Sequence, residues 1–254
     1  MRHRDLIQDQ FTRQALPFSE APSMRDRAAI DLLLASAYAG PAHRSLDVAC
    51  GPGLVALAFA KVVAYAVGLD ATPAMLDRAR ELQRQAGLSN VEWHCGDAGR
   101  LPFGDDTFDI VTCRFAFHHV EHPATVLAEM KRVVKPDGMV VVCDGVASSD
   151  PSQASAFNEM ERLRDPSTVR FLTLAELRAL FDGAGLPVDA ERRYRVPAEL
   201  EGLMRVSFPA PDAAERVRRM VEDSVANDSL GMGTRRLDGR IVFYYPAVVL
   251  SARK

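Results

Sequence analysis

Apolar and polar positions alternate along this chain with two different periods. Apolar runs of strand length fall at 45–49, 64–69, 91–95, 108–113 and 139–144. Between them, apolar residues recur at helical spacing over 54–61, 73–86 and 123–134. Alternation of this kind predicts an α/β fold: a doubly wound, parallel sheet with helices on both faces. Two further helices, 4–14 and 25–39, precede it, joined by a Pro-containing link from Leu16 to Pro22. After Asp144 the pattern changes. Helices are expected at 153–164 and 173–182, the second opened by a capping box, Thr173 with Glu176. A strand at 188–195, a polar and mostly helical stretch at 197–231, and a last strand at 240–251 follow. The last two strands are expected to pair at one edge, giving a mostly parallel sheet of seven strands. The chain reads as a single domain, 1–254, with its core over about 40–195 and 240–254. Segments 1–39, 145–170 and 197–231 read as lids, with a homodimer contact as the other role for 197–231.

The stretch from Ser45 to Asp70 carries the first chemical signal. A strand enters the small-residue loop Gly51-Pro52-Gly53, a helix follows, and a second strand stops at Asp70. This is the layout of a nucleoside-binding βαβ unit, in which an acid ending the second strand can accept from both ribose hydroxyls. Gly51 to Ala56 also satisfies the GxGxxA pattern of an NAD(P)-dependent oxidoreductase. Asp47, inside the first strand, argues against that reading, because a carboxylate beside a pyrophosphate repels it. A ligand bearing an ammonium or sulfonium and no phosphate tolerates it. Asp97, after the third strand, can accept from an adenine amino group while the next backbone N–H donates to the ring.

At these residues the chain resembles the class I S-adenosylmethionine (SAM) dependent methyltransferases, in particular the branch of ubiquinone and menaquinone C-methyltransferases. The resemblance spans about 45–185 and rests on several motifs. They are Leu46 to Gly53, Gly68-Leu69-Asp70, Gly96-Asp97-Ala98 with Leu101-Pro102-Phe103, Phe108-Asp109, Arg114 with His118-His119, Arg132 to Gly138, and Asn158 to Arg170. It implies a Rossmann-like methyltransferase fold and SAM as cofactor. It also implies roles: Asp47, Ala49, Gly51 and Gly53 around the methionine part, Asp70 on the ribose, Ala71 and Met75 against adenine, Asp97 and Ala98 on the adenine edge, and Arg114 near the methionine end. Two positions depart from the family pattern: Ala49 replaces the first loop glycine, and Pro136-Asp137-Gly138 replaces Pro-Gly-Gly.

Methyl transfer from a sulfonium needs alignment, exclusion of water and, for a phenol, enol or aromatic carbon, a base. His118 and His119, just after the fourth strand, are the candidates. The run His118 to His122 has no further ligand cluster near it in sequence, so no metal is expected. Phe11, Phe18, Phe115, Phe117, Phe157, Met160, Met204 and Phe208 fall in segments expected around the mouth, where apolar walls suit an aromatic or quinone-like small molecule. Packing of lid helices is the competing role for most of them. A SAM-fold protein catalysing a different reaction is the remaining alternative.

Charge and composition narrow the partners. The net charge is −3, which gives no reason to expect nucleic acid. No apolar run approaches the roughly 20 residues of a membrane span. Cys50, Cys95, Cys113 and Cys143 each lie in or beside an apolar run without CxxC spacing. They read as reduced, buried thiols in a cytoplasmic protein.

Overall fold

The structure, a computed structural model, describes residues 3–21 and 24–254. Pro22 of the expected link, with Met1, Arg2 and Ser23 of the first lid segment, lies outside the described residues. Strands β1 (Arg44–Val48), β2 (Tyr65–Asp70), β3 (Val91–Cys95), β4 (Phe108–Arg114) and β5 (Val134–Gly145) pair in parallel in the order β3-β2-β1-β4-β5. The strands β6 (Ala190–Glu199) and β8 (Arg240–Arg253) extend the sheet antiparallel, with β8 lying between β5 and β6.

The pleat of β5 divides the core. Val140 and Val142 face the side covered by helices α5 (Pro123–Val133) and α7 (Leu174–Gly183). Met139, Val141 and Cys143 face the side covered by α2 (Arg27–Ser36), α3 (Leu54–Ala60) and Leu82 of α4 (Pro73–Ala86). Side chains alternate between faces along a strand, so one buried apolar run serves both layers. A third core lies beyond the sheet, between α6 (Pro151–Arg164), α8 (Leu200–Ser207), α9 (Pro211–Asn227) and the start of β8.

The sheet holds one strand more than expected. β7 (Arg235–Leu237) is exposed and lacks apolar alternation, but it pairs with β8 through Asp238-Gly239. Both loop residues have positive φ, 50° and 76°. Asp-Gly is the usual sequence of such a two-residue hairpin, and is the signal that marks it. β5 also begins five residues early: Val134 pairs with Phe108, the register then shifts, and Met139 pairs with Ile110. Asp137, at φ 64°, turns the bulged segment. Helix α1 (His3–Glu20) runs on through Pro17 rather than ending at 14. A helical proline costs about 3 kcal/mol; here Arg25 and Arg78 both bond to Ser19 and hold the last turn in place. Cys50, Cys113 and Cys143 are buried, whereas Cys95, on an outer strand, is exposed.

Candidate functional site

Parallel strands bring all their carboxyl ends to one edge. Between β1 and β4 the chain order reverses, and a crevice opens there. It widens into a cavity of about 390 Å³ lined by the loops after β1 to β4 and roofed by α1. Of the residues singled out from the sequence, Ala49, Gly51, Asp70, Ala71, Met75, Asp97, Ala98, Arg114 and His119 line it. Asp47, Gly53 and His118 lie behind its wall.

The glycine loop is built from both sides. Ala49, Gly51 and Gly53 have φ of 54°, 54° and 78°. Glycine enters this region freely, whereas Ala49 does so at a cost of about 1–2 kcal/mol. Asp70 fastens the loop: one carboxylate oxygen accepts Gly51 N–H at 2.8 Å and the other accepts Thr72 N–H at 2.8 Å. Burial raises the Asp70 pKa, and these two bonds oppose the rise. A carboxylate has about four acceptor sites, so two remain for hydroxyl donors. Trp93, which sequence reasoning passed over, wedges under the loop. A Cβ on Gly53 or on Gly68 would lie 2.4 Å from its ring. Its indole N–H is held by Gln83 at 2.6 Å.

Asp47 sits 3% exposed beneath the loop, beside its β4 register partner Thr112, whose hydroxyl donates to it at 2.9 Å. Burial raises its pKa to about 7, against the Thr112 bond and the Arg114 charge. Asp97 is exposed and tied on one oxygen by Gly99 N–H at 2.8 Å, which leaves the other free to accept. Arg114 is buried and donates to the Met24 carbonyl at 3.0 Å, pinning the link between α1 and α2 to the cavity wall. Asp109, at the opposite edge of the sheet, pairs with Lys135 and accepts Arg44 N–H. It serves the strand ends, away from the cavity.

The two histidines differ in place. His118 Nδ1 meets Asp144 Oδ1 at 2.7 Å, and its ring stacks on Phe171 at 4.0 Å. It stands behind the cavity, held by an acid at the end of β5 to which the sequence reading gave no role. His119 reaches the cavity, edge-on to Phe11 at 4.9 Å. Burial, with His118 beside it, pushes the His119 pKa down to about 3, so its imidazole is neutral at neutral pH. Of the eight apolar residues expected at the mouth, Phe11, Phe18 and Phe115 line it. Phe117 enters the sheet core, while Phe157, Met160 and Met204 pack in the lid core. Phe208 ends α8 with positive φ and points to solvent.

A carboxylate-rimmed cavity with no phosphate-binding cations on its glycine loop fits an adenosyl cation better than a dinucleotide. Known proteins agree with the geometry. Residues 46–142 match a family described as a methyltransferase domain. The chain is 33% identical over 207 residues to the uncharacterized methyltransferase YcgJ of Bacillus subtilis, covering 82% of each chain. It is 34% identical over 168 residues to the demethylmenaquinone methyltransferase of the same organism, covering 56% of this chain and 70% of that one. The crystal structure of YcgJ superposes with a TM-score of 0.82 at 30% identity, over 89% of this chain and 98% of the other. Fold, site and relatives together show that the chain belongs to the class I SAM-dependent methyltransferases.

Proposed function

We propose that this cavity binds SAM and transfers its methyl group to an oxygen or carbon of a small, apolar acceptor of aromatic or quinone-like character. The observation that carries the reading is the set of acids toward the carboxyl ends of three adjacent strands: Asp70 and Asp97 line the cavity with the glycine loop, and Asp47 is buried beneath that loop. Asp70 would hold the ribose on its two spare acceptor sites, Asp97 and Ala98 the adenine edge, and Ala71 and Met75 the adenine faces. Ala49, Gly51 and Gly53 would let the backbone close on the methionine part, with Asp47 and Arg114 beneath it. SAM, when bound, supplies an activated methyl. The protein's part is to align the acceptor, exclude water and accept a proton. His119 is assigned that last task; His118, fixed by Asp144, holds the turn that carries it.

Ile7, Phe11 and Phe18 of α1, with Met24 and Phe115, form the apolar wall that supports an aromatic acceptor. Relatives named demethylmenaquinone methyltransferase and 2-phytyl-1,4-naphtoquinone methyltransferase favour a quinone-like one. No helix among the described residues is long and apolar enough to cross a membrane. Four free cysteines support a reducing, cytoplasmic setting.

The test is a thermal-shift titration with SAM, S-adenosylhomocysteine and NAD(H), followed by mass spectrometry of quinols and phenols incubated with SAM. A ligand at a hundredfold excess over Kd adds about 2.7 kcal/mol of stability. A rise with both adenosyl ligands and none with NAD(H), with methylated product, is expected. A rise with NAD(H) alone overturns the cofactor; a rise with SAM but no adenosylhomocysteine formed from any acceptor overturns the transfer.

A further inference from the structure

A line of buried hydrogen bonds runs from His119 away from the cavity. His119 Nδ1 lies 3.0 Å from Ser167 Oγ. Ser167 Oγ in turn lies 2.5 Å from Asp165 Oδ1. The Ser167 N–H donates to the same Asp165 oxygen at 3.0 Å, and Gln14 of α1 donates to the other at 3.1 Å. Arg164 stands 3.9 Å from that second oxygen. Ser167 is fully buried and Asp165 is 2% exposed.

The direction of the hydrogen bonds follows from proton counting. Burial works against an ionised Asp165, but the Arg164 charge beside it and the hydrogen bonds from Ser167 and Gln14 outweigh it and hold its carboxyl below the usual range. An ionised carboxylate only accepts, so the single hydroxyl proton of Ser167 points to Asp165. A lone pair of Ser167 then faces His119, and Nδ1 must carry the imidazole proton. Nε2 is left with the ring lone pair. Among the described residues nothing bonds to it, and the ring it belongs to lines the cavity.

We propose that Ser167 and Asp165 are positioning residues that hold His119 as its Nδ1–H tautomer, so that Nε2 is the atom that takes a proton from the methyl acceptor. This rests on the reading of His119 as the base. The proton leaves the acceptor's O–H or C–H for Nε2, and the electron pair stays on the acceptor as the nucleophile. His119 becomes a cation whose charge is balanced by Asp165 one hydroxyl away. It returns to neutrality by losing the Nε2 proton to solvent when the product leaves. The order differs from that of a serine nucleophile, where histidine lies between serine and acid. Here serine lies between, its hydroxyl donating a hydrogen bond to the ionised acid, and it has no nucleophilic part. Among the described residues the charged and titratable groups around His119 are His118 on the same turn with Asp144 behind it, His3 of α1 on its carbonyl, Arg114 and Glu121 in the cavity lining, and Arg164 and Asp165 at the end of α6. Of the anions, Asp165 is the one joined to the His119 ring through a hydroxyl.

The experiment reads the tautomer directly. Protein labelled with nitrogen-15 at histidine, without cofactor, is studied by NMR, the His119 signals being assigned by their loss in His119→Gln. The wild type is expected to show a protonated Nδ1 and an unprotonated Nε2. Ser167→Ala and Asp165→Asn are expected to mix the tautomers, and Ser167→Thr to restore the wild-type pattern. With SAM and an acceptor, the first two variants should lose about a hundredfold in kcat. Their affinity for S-adenosylhomocysteine, by calorimetry, should stay within about twofold of wild type, a change near 0.4 kcal/mol or less. A protonated Nε2 in the wild type, or an unchanged tautomer in both variants, overturns the proposal even if His119→Gln is inactive. Full turnover by His119→Gln overturns the base reading, and the proposal with it, whatever the tautomer.

Discussion

Asp47 has a carboxyl pKa raised to about 7 by burial, from an unfolded value of 3.8. Between those two pH values the folded state holds a proton that the unfolded state has lost. Stability from this group is therefore greatest below pH 3.8, falls as pH rises to about 7, and is flat above. The upper bound of the loss is roughly 4 kcal/mol. A cationic ligand over the loop reverses the preference, because it favours the ionised form. Adenosyl-cation binding should then release a proton and strengthen from pH 5 to pH 7, and Asp47→Asn should flatten the profile while raising the urea midpoint at pH 8. Calorimetry in buffers of different ionisation enthalpy checks the first; an unchanged slope in the variant would remove Asp47 from the cofactor site. Asp47, Asp70 and Asp97 were legible in the sequence because one lies inside an apolar run, one ends a run and one follows a run, and parallel strands bring those carboxyl ends to one edge. Trp93 and Asp144 were not. Trp93 matters only because Gly53 and Gly68, distant in sequence, both meet its ring. Asp144 matters only because the turn carrying His118 folds back onto β5.

Helix α1 shows what periodicity can and cannot reach at the scale of an element. Three of its polar residues bond inward: Gln14 to Asp165, Gln10 to the Ser207 carbonyl, and His3 to the His119 carbonyl. These contacts span more than a hundred residues of sequence, and no local pattern announces them. They fix the helix over the cavity so that Phe11 meets His119 and Ile7 and Phe18 face the space beneath. The capping box of α7 was legible, since both of its bonds are local: Thr173 N–H and Glu176 at 2.8 Å, Glu176 N–H and Thr173 at 3.3 Å. If α1 walls the acceptor side and the strand ends hold the cofactor, the two affinities separate. Phe11→Ala should lower kcat/KM for the acceptor roughly ten- to hundredfold, the worth of a few buried methylenes. Its affinity for S-adenosylhomocysteine should not move. Parallel loss of both would show that α1 roofs the nucleoside instead.

For the whole molecule the question is whether the lid core and the two sheet cores fold as one unit. The strands β6 and β8 pass from one to the other, and one buried ionic cluster sits in the lid close to the junction. Glu161, fully buried, binds Arg164 at 2.7 Å and accepts the Tyr245 hydroxyl of β8 at 2.7 Å. Arg164 also donates to Ser207 at the end of α8 at 2.9 Å. The cluster thus ties α6 to α8 and to the strand shared with the sheet. Taking one member of such a pair away leaves the other charge buried without compensation, at a cost of about 3–5 kcal/mol, whereas replacing both by apolar groups is often neutral. Glu161→Leu should destabilise by that amount, and Glu161→Leu with Arg164→Met should recover most of it. Two probes follow the halves separately. Trp93, the single tryptophan, reports the sheet beneath the glycine loop, and far-UV circular dichroism weighs in the lid helices. In one cooperative domain both probes give the same urea transition in the wild type and shift together in Glu161→Leu. A circular-dichroism transition that moves to lower urea while the Trp93 transition stays would show that the lid unfolds alone. The residues that orient His119 would then belong to a unit that can open without disturbing the strand ends where the acids gather.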